Sequence, residues 1–186
     1  MARTESNMLP LGTKAPGFSL PDTVSGQTFT LSSQKSEKAT LIMFICNHCP
    51  YVLHVTEEIV RLALDYQPRG VKFIAISSND IATYPQDGTD KMHEQAEKVG
   101  YTFPYLYDAS QEVARAYDAA CTPDFYLFDD QLELVYRGQL DDSRPKTDIP
   151  VTGRDLRAAL EAILTGKPVN PVQRPSIGCN IKWKSA

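Results

Sequence analysis

The sequence predicts an α/β fold with a central mixed β-sheet flanked by helices. Thr40 to Ile45 and "VKFIAIS" (71–77) are apolar at nearly every position without alternation, as central strands covered on both faces are. Between them lies a stretch of helical spacing, so the chain runs strand, helix, strand. The second half adds a further helix, a strand pair and a closing helix, which completes a mixed sheet in a single domain.

Residues 1–14 read as a loose leader. "FSLPDTVSGQTFTL" puts a Ser-Gly turn between two short extended stretches, an N-terminal β-hairpin. After the strand at 40–45, a helix is expected from Pro50 to Tyr66. Val52, Val55, Ile59, Leu62, Ala63 and Tyr66 share one stripe, while His54, Glu57, Glu58, Arg61 and Asp65 fall elsewhere. Pro50 suits a first helical position, where its missing N–H has no intrahelical partner, so Cys49 is the N-cap. His54 is expected to face solvent.

Downstream of the second strand come a polar loop, a helix from Asp90 to Val99 and a short strand in "FPYLYD". A helix from Gln111 to Ala119 follows, then a hairpin over 124–138 about an Asp129-Asp130-Gln131 turn. Thr152 and Asp155 resemble a capping box for a last helix with Leu156, Leu160, Ile163 and Leu164 inward and Gly166 as its stop. The domain is expected to span 1–166, with 167–186 a C-terminal extension. That extension holds three prolines, the lone tryptophan Trp183 and Cys179. A polar tail normally frays, so its apolar residues suggest that it folds back over the active site, bringing Cys179 to Cys49 or Cys121, docks on another subunit or simply packs for coverage. Asp141, Asp142 and Arg144 offer either a cation site or, more simply, a turn.

With 186 residues there is enough chain for one domain with its own core. A net charge of −4 and an isoelectric point near 5.4 leave no basic patch for phosphates, which argues against nucleic-acid binding. The longest apolar run is far too short for a membrane span, and the N-terminus shows no apolar core of a signal peptide. The expectation is a cytoplasmic protein without membrane partners.

"FICNHCPYV" carries the chemistry. Cys46 and Cys49 form a Cys-x-x-Cys pair at the end of a strand and the mouth of a helix. Four cysteines in this length are too few for a disulfide scaffold, and in a reducing compartment they are mostly thiols. A helix N-terminus stabilises a thiolate, and cysteines so placed drop from about 8.5 into the range of roughly 3.5–7.5. His48 is a candidate cationic neighbour. Zinc would need a second Cys/His pair at short spacing, yet Cys121 and Cys179 are single and far apart. The remaining alternative is that the thiols are small core residues. Neither a metal nor another cofactor is expected.

Taken together, "GTKAPGFSL", "FICNHCPYV", "VKFIAISSND", "FPYLYD" and "CTPDFYLFD" resemble the thioredoxin-fold superfamily over about residues 10–165. They are most similar to its peroxiredoxin-like group, the alkyl-hydroperoxide-reductase and thiol-specific-antioxidant domain. The resemblance implies a thioredoxin-like fold and a cis-proline at Pro123 opposite the active thiol. It also implies that the Thr122 backbone is open to pair with an extended substrate. Peroxiredoxins place their attacking cysteine before a proline, as Cys49-Pro50 does here, but their Thr or Ser three residues earlier is Cys46. Their activating arginine would fall near Thr122, where none stands.

The expected activity is thiol–disulfide exchange with Cys49 as nucleophile and Cys46 as first-choice resolving thiol. Cys121 and Cys179 are further resolving candidates, Thr122 and Pro123 would bind substrate, and His48 and Pro50 would modulate the thiol. A thiol peroxidase with antioxidant activity is the alternative, and a redox sensor or thiol-bound zinc protein a third. Expected partners are a disulfide or hydroperoxide substrate, a thiol reductant such as a thioredoxin, and a second copy in a homodimer. The reading requires Cys49 to meet solvent and to ionise more readily than free cysteine.

Overall fold

The structure, a computed structural model, describes residues 3–185. Residues 1, 2 and 186, the ends of the two expected stretches, lie outside the described residues. The chain order is β1 (Arg3–Glu5), β2 (Ser19–Pro21), β3 (Thr28–Thr30), α1 (Leu31–Gln34), β4 (Ala39–Phe44), α2 (Pro50–Tyr66), β5 (Val71–Ser77), α3 (Thr89–Val99) and β6 (Tyr105–Tyr107). It continues through α4 (Glu112–Ala116), β7 (Cys121–Thr122), β8 (Asp124–Asp129), β9 (Leu134–Gly138), α5 (Arg154–Leu164) and β10 (Ile177–Asn180). The main sheet runs β6-β5-β4-β8-β9. Its β4–β5 and β5–β6 pairs are parallel, and its β4–β8 and β8–β9 pairs antiparallel. The α/β class and mixed sheet expected from the sequence are therefore present.

Alternation along β4 divides the core. Leu41, Met43 and Ile45 pack with Val52, Val55, Ile59 and Leu62 of α2, and with residues of α3 and α5. Ile42 and Phe44 face the other way, toward Phe18, Leu20 and Phe29 of the β2–β3 hairpin and Ala114 of α4. Fully burying a large aliphatic side chain contributes about 1.5–3 kcal/mol, so these faces fix how α2 lies on the sheet. Helix α2 itself begins and ends where the apolar period and Pro50 place it.

Several expectations are corrected. The leader is not loose, because Arg3–Glu5 pairs antiparallel with β10. Glu58 of α2, off the apolar stripe, is nevertheless buried, since Arg157 of α5 and Arg61 both pair with its carboxylate, at 2.6 and 2.7 Å. His54 is half-buried and its Nε2 meets Ser143 Oγ at 2.7 Å. The helix expected over 111–119 is only Glu112–Ala116, ended by turns at 117–118. No capping box opens α5. Gly153 is its N-cap, Thr152 Oγ1 accepts only the Arg154 N–H at 3.3 Å, and Asp155 accepts from Gln139. Asp141 accepts the N–H groups of Thr152, Gly153 and Ser143, so it organises that turn. Among the described residues no helix is long and apolar enough to cross a membrane.

The C-terminal segment is the feature the periodicity does not foretell. β10 lies between β1 and β7 in a small antiparallel sheet, beside the point where β4 gives way to α2. Its seat depends on close approach: a Cβ on Gly178 would fall 1.9 Å from the Thr122 carbonyl oxygen.

Candidate functional site

Cys49 caps α2 in an extended conformation (φ −71°, ψ 121°), and its carbonyl accepts the Val52 and Leu53 N–H groups. That geometry leaves its sulfur at the helix mouth, where the backbone N–H groups and the helix dipole favour an anion. Opposite stands the Thr122–Pro123 peptide, which is cis. As a thiol Cys49 donates to the Thr122 carbonyl at 3.3 Å. Its Sγ lies 2.6 Å from Cys179 Sγ.

The three thiols nearest this point share one environment but not one acidity. Cys46, Cys49 and Cys179 are all buried in the core layer that packs on α2. Donation from the Cys179 thiol holds Cys49 far below the ordinary thiol range; Cys46, the Val52 amide and Thr122 add to this, and burial opposes it. Cys46 is raised, first by Cys49, then by burial and by Asp87. Cys179 is raised too, first by Cys49 and then by burial. Only one negative charge is favoured in the cluster, and it sits on Cys49.

Cys121 stands apart. On β7 it registers with Asn180 while Thr122 registers with Cys179, and strand alternation turns its side chain away from the side where the Thr122 hydroxyl meets Cys46 at 3.5 Å. Burial pushes its thiol up. The four cysteines are therefore not gathered into one tetrahedral set.

His48 does not face Cys49. Its Nδ1 lies 2.6 Å from Asp87 Oδ2, and its ring stacks on Tyr84 with centroids 5.5 Å apart. Fully buried Asp87 also accepts from the Asn47 N–H (2.8 Å) and Asn79 Nδ2 (2.8 Å), so it ties the 46–49 loop to the 79–87 loop. Ligand atoms of Cys46, His48 and Asp87 lie within 4.8 Å of one another. A cation there would have to displace the bonds that Asp87 already makes. Asp87 lies outside every quoted motif and Asn79 within one, "VKFIAISSND", that gives it no role; each acts through the fold rather than through spacing from the cysteines.

Asp124, next after Pro123, is fully enclosed; burial raises its carboxyl to about 7, although the Tyr126 hydroxyl (3.0 Å) and the Phe125 amide (3.1 Å) oppose the shift.

Two requirements of the sequence reading meet different outcomes. The ionisation of Cys49 is favoured, but its exposure is 0%: the thiol does not meet solvent, because β10 covers it. Nor is the Thr122 backbone free for a visiting strand, since β10 is already paired to it.

Known proteins share this architecture. An uncharacterized conserved protein of Geobacillus kaustophilus, solved by crystallography, is 61% identical with a TM-score of 0.98, over 100% of this chain and 98% of that one. A hypothetical protein of Sinorhizobium meliloti 1021 is 49% identical with a TM-score of 0.95, over 98% and 100% of the two chains. Thiol-disulfide oxidoreductase ResA of Geobacillus kaustophilus (strain HTA426) is 26% identical over 133 residues, 70% of this chain and 70% of that protein. A secreted disulfide oxidoreductase of Mycobacterium tuberculosis, 17% identical with a TM-score of 0.60 over 78% of this chain and 95% of that one, has the same thioredoxin-like fold. The Redoxin family model matches residues 10–156, a span that holds Cys46, Cys49, Cys121 and the cis-proline, and this chain belongs to the Redoxin family of oxidoreductases.

Proposed function

We propose that this protein catalyses thiol–disulfide exchange with Cys49 as the attacking thiolate. One observation carries the reading: Cys49 caps α2 opposite cis-Pro123, with a second thiol 2.6 Å from its sulfur. The thiolate attacks one sulfur of a substrate disulfide, forms a mixed disulfide and releases the other sulfur as a thiolate. A second cysteine of the chain then attacks Cys49 Sγ, releases the remaining substrate thiol and closes an internal disulfide. A thiol reductant such as a thioredoxin reopens it. A reducing cytoplasm supplies such a reductant and is the proposed place of action. The name of the ResA relative supports this reading.

The test is reduction of insulin disulfides driven by dithiothreitol. The wild-type chain should exceed the reagent alone and Cys49→Ser should match it. A wild-type rate no faster than dithiothreitol would reject the reading.

A thiol peroxidase is the second reading, favoured by the full burial of Cys49, which admits a small hydroperoxide more readily than a protein. Against it, no arginine neighbours Thr122 in the sequence, where the peroxiredoxin resemblance would put the group that stabilises the leaving oxygen. Dimedone trapping of a Cys49 sulfenic acid faster than disulfide exchange would decide for the peroxidase.

A further inference from the structure

We infer that Cys179 is the thiol that closes the internal disulfide with Cys49, and that β10 occupies the edge on which an extended disulfide substrate would lie. The inference rests on Cys49 being the reacting sulfur. Cys49 Sγ and Cys179 Sγ are 2.6 Å apart, inside the roughly 3.5–4.0 Å of ordinary non-bonded heavy-atom contact. Cys46 also adjoins Cys49, and its sulfur lies 3.5 Å from the Thr122 hydroxyl, so Cys179 is marked out by its 2.6 Å sulfur contact and not by the lack of a competitor.

The seat of β10 is that of a bound strand. It pairs antiparallel with β7, Cys179 opposite Thr122, at the residue before the cis-proline. Strand addition at a sheet edge brings affinity through main-chain bonds and presents alternate side chains to the site. Here the presented side chain is a cysteine, aimed at the thiolate. Gly178 permits this approach, since any Cβ there would strike the Thr122 carbonyl.

The fold spends buried polar groups to hold the segment. The Lys182 carbonyl accepts from the Asp80 N–H (2.8 Å) and from Gln111 Nε2 (2.9 Å), and the Lys182 N–H donates to Asn79 Oδ1 (2.9 Å). Asn79 and Gln111 are both buried. Beyond them the Arg115 guanidinium lies over the Trp183 ring at 4.4 Å. These directed bonds satisfy the buried backbone of the segment and fix its register beside the site.

The electron count closes with a disulfide oxidant. Cys49 thiolate attacks R–S–S–R′ and R′–S⁻ departs and takes up the Cys179 proton; the Cys179 thiolate so formed then attacks Cys49 Sγ and R–S⁻ departs. One disulfide is reduced to two thiols, and two thiols of the chain become the Cys49–Cys179 disulfide. Tail and substrate exclude each other at Thr122, so the segment must leave its seat to admit a substrate strand and return to resolve it.

The experiment uses the reduced full chain treated with oxidised glutathione, blocked with an alkylating agent, digested without reductant and mapped by mass spectrometry. The expected main product joins the peptide holding Cys49 to the peptide holding Cys179. The link should persist in Cys46→Ser and vanish in Cys49→Ser, and Cys179→Ser should retain glutathione on Cys49. A main product joining Cys46 to Cys49, or a glutathione adduct on Cys49 that persists in the wild type, would overturn the inference and leave the functional reading standing. Cys49 left unmodified would overturn both.

Discussion

At the sulfur of Cys49 two effects of opposite sign compete. Burial disfavours a charge, while the helix mouth and the neighbouring thiols favour one, and the donors prevail. Wild-type protein should therefore show the ultraviolet absorbance of one thiolate already near pH ~6, well below the ~8.5 of a free cysteine, and Cys49→Ser should lack it. Absorbance that appears only as the pH passes ~8.5 would remove the proposed nucleophile. The place of Cys49 at the helix mouth is legible in the sequence because a Cys-Pro boundary is a local signal. Its access is legible only in part: the apolar tail offers a fold back over the site as one of three options, and nothing local chooses among them, since the residue that covers Cys49 lies 130 positions along the chain. The role of His48 fails for a related reason: adjacency in sequence says nothing of where a ring turns, and Asp87 from another loop claims it.

Among the elements, strong periodicity is legible in the sequence and weak punctuation is not. The α2 stripe and the two apolar strands announce themselves, because burial on a fixed face leaves a regular imprint. β1, β7 and β10 do not, being two to four residues long and paired only with distant partners. Glu58 broke the pattern because a carboxylate can be buried when arginines meet it. It binds α2 to α5, so Arg157→Met should cost about 3 kcal/mol in urea unfolding, toward the lower end for a broken buried pair because Arg61 remains. A loss under about 1 kcal/mol would rank the contact with surface pairs. The strap gives a sharper case. Gly178→Ala forces a methyl against the Thr122 carbonyl, overpacking that typically costs about 1–3 kcal/mol. If that cost falls on the seated β10, iodoacetamide labelling of Cys49 should rise about tenfold to a hundredfold at unchanged helix content. Labelling unchanged from wild type would mean that β10 does not gate the sulfur.

Across the whole molecule, the pairing of Cys49 with Cys179 joins the start of α2 to the last strand and encloses 130 positions of chain. Cys46 and Cys49, by contrast, bracket a three-residue step. Loop-closure entropy in the unfolded chain grows with the enclosed length, and a loop of about 100 residues is worth about 4.7 kcal/mol in the chain-entropy model. For a chain of this size each kcal/mol moves the melting temperature by about 2–4 °C, so a Cys49–Cys179 bond should raise it by about 10 °C or more. Oxidised and reduced wild type should differ by that amount, Cys46→Ser should preserve the difference, and Cys179→Ser should lose most of it. A short Cys46–Cys49 loop leaves far less chain to constrain, so equal melting of the oxidised and reduced wild type would mean that the two ends of the fold are not joined. The same measurement reads out the strap as a device of the whole fold: the bond that ends a reaction cycle would also lock the C-terminal segment over the sulfur that began it, until a dithiol releases both.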